Sequence, residues 1–363
     1  MNPFVSKVNQ TIKKTGLIKS GDRFLLGLSG GPDSVFLFWI FKKLQKKYNF
    51  FFEAIHVNYQ VRGKDCQKEE RLCQKLCKDN QVNLYIYKVP KSKIKKSQNF
   101  EQTARKIRYK AFLKTAFNNY QKLDIKKFKN SFKNNYLRRP AKIALAHNLD
   151  DQAETVIMNF FRGSGLKGVA GMRFSRKIGN NLEKTTVIRP LLKIPKKEIE
   201  SFLRKQNIKY CLDRSNLNQK FKRNKIRHLL IPLIEKDFNS NIKRSLLKSS
   251  LLFQQAYEIV QKNALKKYKK ALVNENLESK EISIDWKILK KEMPLIKSGV
   301  VRIIIKKIKG NLKNLNFATL EKLINYLENP QKKGDFKEIK SLIVFKKKSI
   351  INFKESKNKQ QYK

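Results

Sequence analysis

Apolar positions in the first half of the chain come as short runs, separated by longer segments with helical spacing. Arg23 to Ser29 (RFLLGLS) is one such run, and Asp33 to Lys43 follows with a helical pattern. Phe50 to Asn58 (FFFEAIHVN) is a second run, and Val82 to Val89 (VNLYIYKV) alternates as a strand does. Helical patterns cover Asp65 to Asn80 and Phe100 to Asn118. KIALAH, Lys142 to His147, is a further strand, and Asp150 to Arg162 a further helix. TTVIRPLL, Thr185 to Leu192, reads as one more strand, and Pro195 then opens a helix through KKEIESFLRKQN. Strands alternating with helices predict an α/β fold with a doubly wound parallel sheet.

The pattern changes after Lys225. From Ile226 to about Leu327 it is mainly helical and very basic, with little strand alternation. The expected division is therefore a nucleotide-binding α/β domain over 1–225, a basic helical domain over 226–330, and a short extension over 331–363. Within the extension, LIVF and IINF can pair as a hairpin, and the tail ESKNKQQYK is expected to be disordered. Between Asn118 and Pro140, seven Lys/Arg and one Asp mark a basic insertion facing solvent.

Charge then narrows the partner. The chain carries 83 Lys+Arg against 29 Asp+Glu, a formal net charge of +54. Such a chain attracts polyanions, and nucleic acid is the obvious one. AT-biased coding explains the preference for Lys over Arg; it does not explain the deficit of Asp and Glu. No apolar run is long enough for a membrane helix, and the N-terminus has no signal-peptide core. Cys66, Cys73, Cys77 and Cys211 include no CxxC pair, so reduced free thiols are expected. The compartment expected is a cytoplasm or the interior of a gene-bearing organelle, and a homodimer is compatible with the sequence.

The chemistry starts at SGGPDS, Ser29 to Ser34. A strand entering a Gly-Gly turn and then a helix forms a nest of N–H groups at the positive helix end. Gly30 and Gly31 let a phosphate chain approach the backbone, Pro32 starts the helix, and Ser29 and Ser34 add hydroxyls. Asp33 repels phosphate unless a divalent cation bridges the two. The Lys of a Walker loop and the spacing of a dinucleotide fingerprint are both missing.

A second block, HNLDDQAET, follows the His147 strand at the carboxyl end of the sheet, where ligands bind in such folds. One of its acids can cap a helix. Asp150, Asp151 and Glu154 together point to Mg²⁺ or a cationic amine. Arg162 opens a glycine-bearing loop that reads equally as a helix C-cap. His56 and Asn58, with Arg62 and Gly63 after them, either border a nucleotide site or close a turn. Glu101, Arg105 and Arg108 share one helix face, as a salt-bridge row or as neutralisers of phosphate charge. Asp213-Arg214-Ser215-Asn216 leads into the basic Lys222–Arg227 segment.

In this order, SGGPDS, HVNYQVRG, EQTARKIRY, AHNLDDQAETVIMNFFRGSGLKGVAGM, IRPLL and DRSNLNQKFKRNKIRHLLIPLI resemble the tRNA(Ile)-lysidine synthase family of PP-loop ATP pyrophosphatases. The likeness covers about Gly21 to Ile234. It implies that ATP adenylates C2 of the wobble cytidine in tRNA(Ile) with a CAU anticodon. Free L-lysine then attacks C2 and expels AMP, giving lysidine. By the same resemblance, Ser29, Gly30, Gly31, Pro32, Asp33, Ser34 and His56 hold ATP, and Asp33 and Asp151 hold Mg²⁺. Arg105 and Arg108 stabilise developing phosphate charge. Asp150, Asp151 and Glu154 take the lysine ammonium. Arg162 and Arg189 face tRNA, and Arg223, Asn224 and Arg227 face tRNA or brace the domain junction. Tyr59 stands where many members have His. A PP-loop tRNA thiolase would want paired CxxC cysteines, and a non-catalytic RNA-binding protein would not need an intact SGGPDS with its acidic block.

Overall fold

The computed structural model of the 363-residue chain describes residues 3–61, 63–90, 92, 100–121, 141–179, 184–212, 222–312, 315–329 and 342–356, with the side chains of 101 and 118–121 outside that set. Arg62, the segment 213–216 and most of the 118–140 insertion lie outside the described residues, as does the tail beyond 356. Two compact units divide the chain: Met1–Met158 with Met172–Lys248, and Asn159–Gly171 with Ser249–Lys363.

After helix α1 (Pro3–Thr15) the first unit alternates through β1 (Arg23–Gly27), α2 (Pro32–Tyr48), β2 (Phe51–Asn58), α3 (Lys64–Asp79), β3 (Leu84–Lys88), α4 (Phe100–Gln121), β4 (Lys142–Ala144) and α5 (Leu149–Phe161). The short α6 (Gly165–Val169) belongs to the second unit, and the first resumes with β5 (Ser175–Ile178), β6 (Thr185–Ile188), α7 (Lys196–Lys205) and α8 (Lys222–Lys225). A π-helical turn at Ile226–Leu230 leads into α9 (Ile231–Asp237) and the long α10 (Ile242–Ala271).

The six strands stand in the order β3-β2-β1-β4-β6-β5. The pairs β1–β2, β2–β3, β1–β4 and β4–β6 are parallel. Only β5 is antiparallel, along β6, and its exposed Ser-Arg-Lys face suits an edge strand. The chain moves outward from β1 to β3 and then returns to the other side of β1 at β4. That reversal makes the carboxyl ends of β1 and β4 the switch point where ligands bind in open α/β sheets.

Helix α2 follows β1 directly and buries Val35, Phe36, Leu37, Phe38, Ile40, Phe41 and Leu44, so its apolar residues run almost all round it. Phe24, Phe41 and Phe50 meet edge-to-face at 5.2–5.4 Å, the arrangement that ring quadrupoles favour. At the amino end of β1, the buried Arg23 guanidinium meets Glu53 Oε2 at 3.1 Å, and Tyr85 Oη donates to Glu53 Oε1 at 2.7 Å.

The boundary expected at residue 225 falls inside the first unit. The reason is packing: Ile226 and Ile231 are buried against Ala153 and Ile157 of α5. The second unit also differs from its all-helical reading. It adds β7 (Leu272–Asn276), β8 (Glu281–Asp285), α11 (Pro294–Lys309), α12 (Phe317–Glu328), β9 (Leu342–Lys347) and β10 (Ile350–Glu355). The strands form an antiparallel sheet in the order β7-β8-β10-β9. The hairpin of LIVF and IINF is present as β9–β10. EISID alternates over five residues only, and Ile282 and Ile284 find their partners Phe353 and Ile351 far along the chain. The described part has no helix long and apolar enough to cross a membrane. All four cysteines are free thiols.

The Arg23–Glu53 pair gives a stability test. Glu53→Ala leaves a buried guanidinium without its carboxylate and is expected to destabilise the fold by about 3–5 kcal/mol. Urea unfolding measures this, and a loss below about 1 kcal/mol would mean that water already screens the pair.

Candidate active site

The turn after β1 is closed by its own hydroxyls. The Ser29 N–H donates to Ser34 Oγ at 3.1 Å, and Ser34 Oγ donates to Gly31 O at 3.0 Å. Gly30 has φ +86°, and a Cβ there would meet the backbone of Glu69 at 3.4 Å and Cys73 Sγ at 3.6 Å. Those are ordinary contact distances, so it is the left-handed backbone conformation that calls for glycine here. Gly31 is the extended N-cap of α2, and Pro32 occupies the first turn, where a missing N–H does no harm. The Cys211 N–H donates to Gly30 O at 2.9 Å and fixes the turn from a distant segment. The loop is thus held while its N–H groups face the amino end of a 17-residue helix.

Because β4 lies beside β1, the segment after β4 must run beside this turn. Asn148 joins the two. Its Nδ2 donates to Asp33 Oδ1 at 2.9 Å. Its Oδ1 accepts from the Asp151 N–H at 2.9 Å, while its own N–H donates to Asp151 Oδ2 at 3.1 Å. That reciprocal pair is a capping box at the start of α5. Asn148 is therefore the cap. Asp150 instead accepts from the Lys196 N–H at 2.8 Å, capping α7, whose N-cap Pro195 has no side-chain acceptor. Lys243 Nζ also meets Asp150 Oδ1 at 2.8 Å.

Burial, and after it the charge of Asp151, pushes the Asp33 carboxyl up to about 6. A buried carboxyl raised in this way beside a second carboxylate is a place for a cation. Among the described residues no group of three or more His, Cys, Asp or Glu gathers as a metal centre. A Mg²⁺ held by Asp33 and Asp151 would complete its shell with phosphate oxygens and water, as Mg²⁺ commonly does.

Glu154 is fully buried, and both its oxygens are taken. Arg223 Nε donates to Oε2 at 2.6 Å, and Arg227 Nε donates to Oε1 at 2.6 Å. Arg223 Nη2 also reaches Asp151 Oδ1 at 2.7 Å. Arg227 sits in the π-helical turn, and such turns recur at functional sites. Arg223 and Arg227, expected to meet tRNA or brace the domain junction, are thus ion-pair partners of the acidic block. Glu154, expected to take a lysine ammonium, is neutralised by protein guanidinium groups.

Cations gather on the other side. Arg108 Nε donates to Tyr59 Oη at 3.0 Å, and Tyr59 Oη donates to Ala104 O at 3.0 Å. Arg105 lies over the Tyr109 ring at 5.5 Å. Arg189 is buried, its Nη1 donating to Arg173 O at 2.9 Å, so it supports the site from within and presents no surface to RNA. Burial first, then the charges of Arg189, Arg223, Arg105 and Arg108, hold His147 well below its ordinary pKa. That one imidazole feels four guanidinium groups from three segments of the chain. His56 is buried and neutral, depressed by burial, with its Nδ1–H donating to Leu28 O at 2.9 Å just before the turn.

A family model described as a PP-loop domain matches residues 1–234. The chain is 33% identical over 350 residues to a tRNA(Ile)-lysidine synthase of Clostridioides difficile, covering 95% of this chain and 69% of that protein. It is 30% identical over 365 residues to the tRNA(Ile)-lysidine synthase of Caldanaerobacter subterraneus, covering 99% and 71%. This chain belongs to the tRNA(Ile)-lysidine synthase family. It is an enzyme of the PP-loop class. The U34-tRNA thiolase NcsA from Methanococcus maripaludis shares the fold, with a TM-score of 0.53, 20% identity, and coverage of 69% of this chain and 79% of that one.

Within this lysidine synthase family member, the structure joins the Ser29–Ser34 turn through Asn148 to Asp151, Glu154, Arg223 and Arg227, while the side chain of Asp150 turns instead to Lys196 and Lys243. Asn224 is buried beside them. Arg162 belongs to the other unit and is exposed. Sequence reasoning gave no role to Asn148, Lys196, Lys243 or the Cys211 backbone. Only the first had a signal, the N-x-x-D spacing of a capping box.

The raised Asp33 carboxyl fixes a pH dependence. Its folded pKa of about 6 exceeds the unfolded 3.8, so the unfolded state ionises first. Ligand-free stability should fall as pH rises from about 4 to about 6 and then level off. Asp33→Asn should remove that slope and gain roughly 1–2 kcal/mol at neutral pH after allowance for screening. Thermal melts of both proteins across this range check it; superimposable pH profiles would refute the coupling.

Proposed function

We propose that this enzyme joins lysine to C2 of the wobble cytidine in tRNA(Ile) with a CAU anticodon, using ATP and an adenylated tRNA. One observation carries the reading: Asn148 ties Asp33 of the phosphate loop to Asp151 at 2.9 Å, in a chain related to lysidine synthases along nearly its whole length. ATP handling and amine handling then share one wall.

In this reading the C2 carbonyl oxygen attacks the α-phosphorus, and pyrophosphate leaves along the Ser29–Ser34 loop. The loop's N–H groups and the α2 amino end stabilise the leaving charge. Bound by Asp33 and Asp151, Mg²⁺ would neutralise the phosphate oxygens. Arg105 and Arg108, fixed by Tyr109 and Tyr59, stabilise charge on the transferring group. An amine of lysine then attacks C2, loses a proton, and AMP departs. Asp151 is the carboxylate that meets the amine. Glu154 holds Arg223 and Arg227, and so sets where Asp151 points. The net charge of +54 supplies tRNA affinity through phosphate contacts. A homodimer is compatible with this scheme and is not required by it.

The decisive assay combines the protein, a tRNA(Ile) CAU transcript, ATP and labelled lysine. Label should enter the tRNA with one AMP released per lysine. Asp33→Ala should lower turnover at least 100-fold, the scale lost when a transition-state charge contact is removed, while tRNA affinity changes less than about 3-fold. AMP release without lysine incorporation would overturn the reading, as would sulfur-dependent modification of the same tRNA. Raising salt should weaken tRNA binding steeply, because each phosphate contact releases counterions.

A further inference from the structure

Phe160 and Phe161 close α5, the helix whose first turn carries Asp150 and Asp151, and both are open to solvent, at 70% and 66% exposure. The site described above uses neither. Two adjacent exposed rings are unusual, because each can remove about 150–250 Å² from water when covered.

The loop behind them is built without their help. The Gly163 N–H donates to Phe160 O at 2.9 Å, and the Ser164 N–H donates to Asn159 O at 3.0 Å. Asn159 Nδ2 donates to Gly168 O at 2.7 Å, and Gln254 Nε2 donates to Ala170 O at 2.8 Å. Gly163 has φ +60°, and a Cβ on Gly168 would stand 2.2 Å from Ser164 Cβ. The backbone of the turn is thus held at the end of α5, where both rings stand exposed.

Charge says what covers them. Thr155 to Gly171 contains no acid, and Arg162 and Lys167 follow the two rings in the chain. In a chain of net charge +54, covering this patch with a second copy would bring like charges together. Unpaired bases of RNA bring flat rings and negative phosphates at once, and single-stranded RNA is commonly held by exposed aromatics beside cations.

We propose that Phe160 and Phe161 form a stacking platform for unpaired bases of the RNA substrate, with Arg162 contacting the adjoining phosphate. This rests on the reading of the protein as a tRNA-modifying enzyme and adds the surface that distinguishes a loop from a duplex.

The test uses the full-length protein and an RNA hairpin with 2-aminopurine in its loop, beside a blunt RNA duplex of equal charge. Wild-type protein should quench the loop fluorophore. Phe160→Ala and Phe161→Ala should each weaken hairpin binding about 5- to 150-fold, the range found for single base–aromatic stacks. Duplex affinity should stay unchanged, Phe→Trp should restore hairpin binding, and Phe→Leu should not. Equal losses on hairpin and duplex, or rescue by Leu, overturn the platform. So does binding to anionic phospholipid vesicles, or concentration-dependent dimerisation, that the Ala variants abolish. Lysine incorporation by wild-type protein is scored in parallel. Its failure overturns the proposed reaction, whereas incorporation with unaltered hairpin binding by the variants overturns the platform alone.

Discussion

Everything at the site depends on β1 and β4 being neighbours. Phe24, Leu25 and Leu26 pair with Lys142, Ile143 and Ala144, although more than a hundred residues separate them along the chain. Their register sets the Ser29–Ser34 turn beside Asn148. The Asn148 side chain then spans the seam, donating to Asp33 and accepting from the Asp151 N–H. A slip of one residue would turn every side chain of β4 to the other face and break that link. The buried Phe cluster of β1, α2 and β2 makes such a slip expensive, because those rings are already packed.

Acids are scarce in this chain, 29 against 83 bases, and at the site they are used internally. Asp150 caps α7 and holds Lys243. Glu154 grips Arg223 and Arg227. Asp33 is displaced upward toward about 6 because it is buried first of all, and because the Asp151 carboxylate lies beside it. Its destabilising charge sits where a cation and phosphates would use it. The surplus of positive charge remains available to a polyanion.

Much of this was legible. The strand–helix alternation, the SGGPDS turn and the HNLDD block could be read because each is local: an apolar period, two glycines before a helix, acids after a strand. The β9–β10 hairpin was legible for the same reason. What escaped was non-local. EISID is only five residues long, and its strand identity depends on β10, some seventy residues later. The division after Lys225 failed to appear because Ile226 and Ile231 pack back on α5.

The sequence by itself determined the fold class, the SGGPDS turn, the acidic block and the excess of positive charge. These follow from residue type and short spacing alone. Only the tertiary structure decided which carboxylates are engaged, which arginines are internal, and that Asn148 couples the two motifs. Those outcomes turn on partners drawn from separate segments, such as Lys196, Arg223 and Lys243, and on burial that removes water from between them.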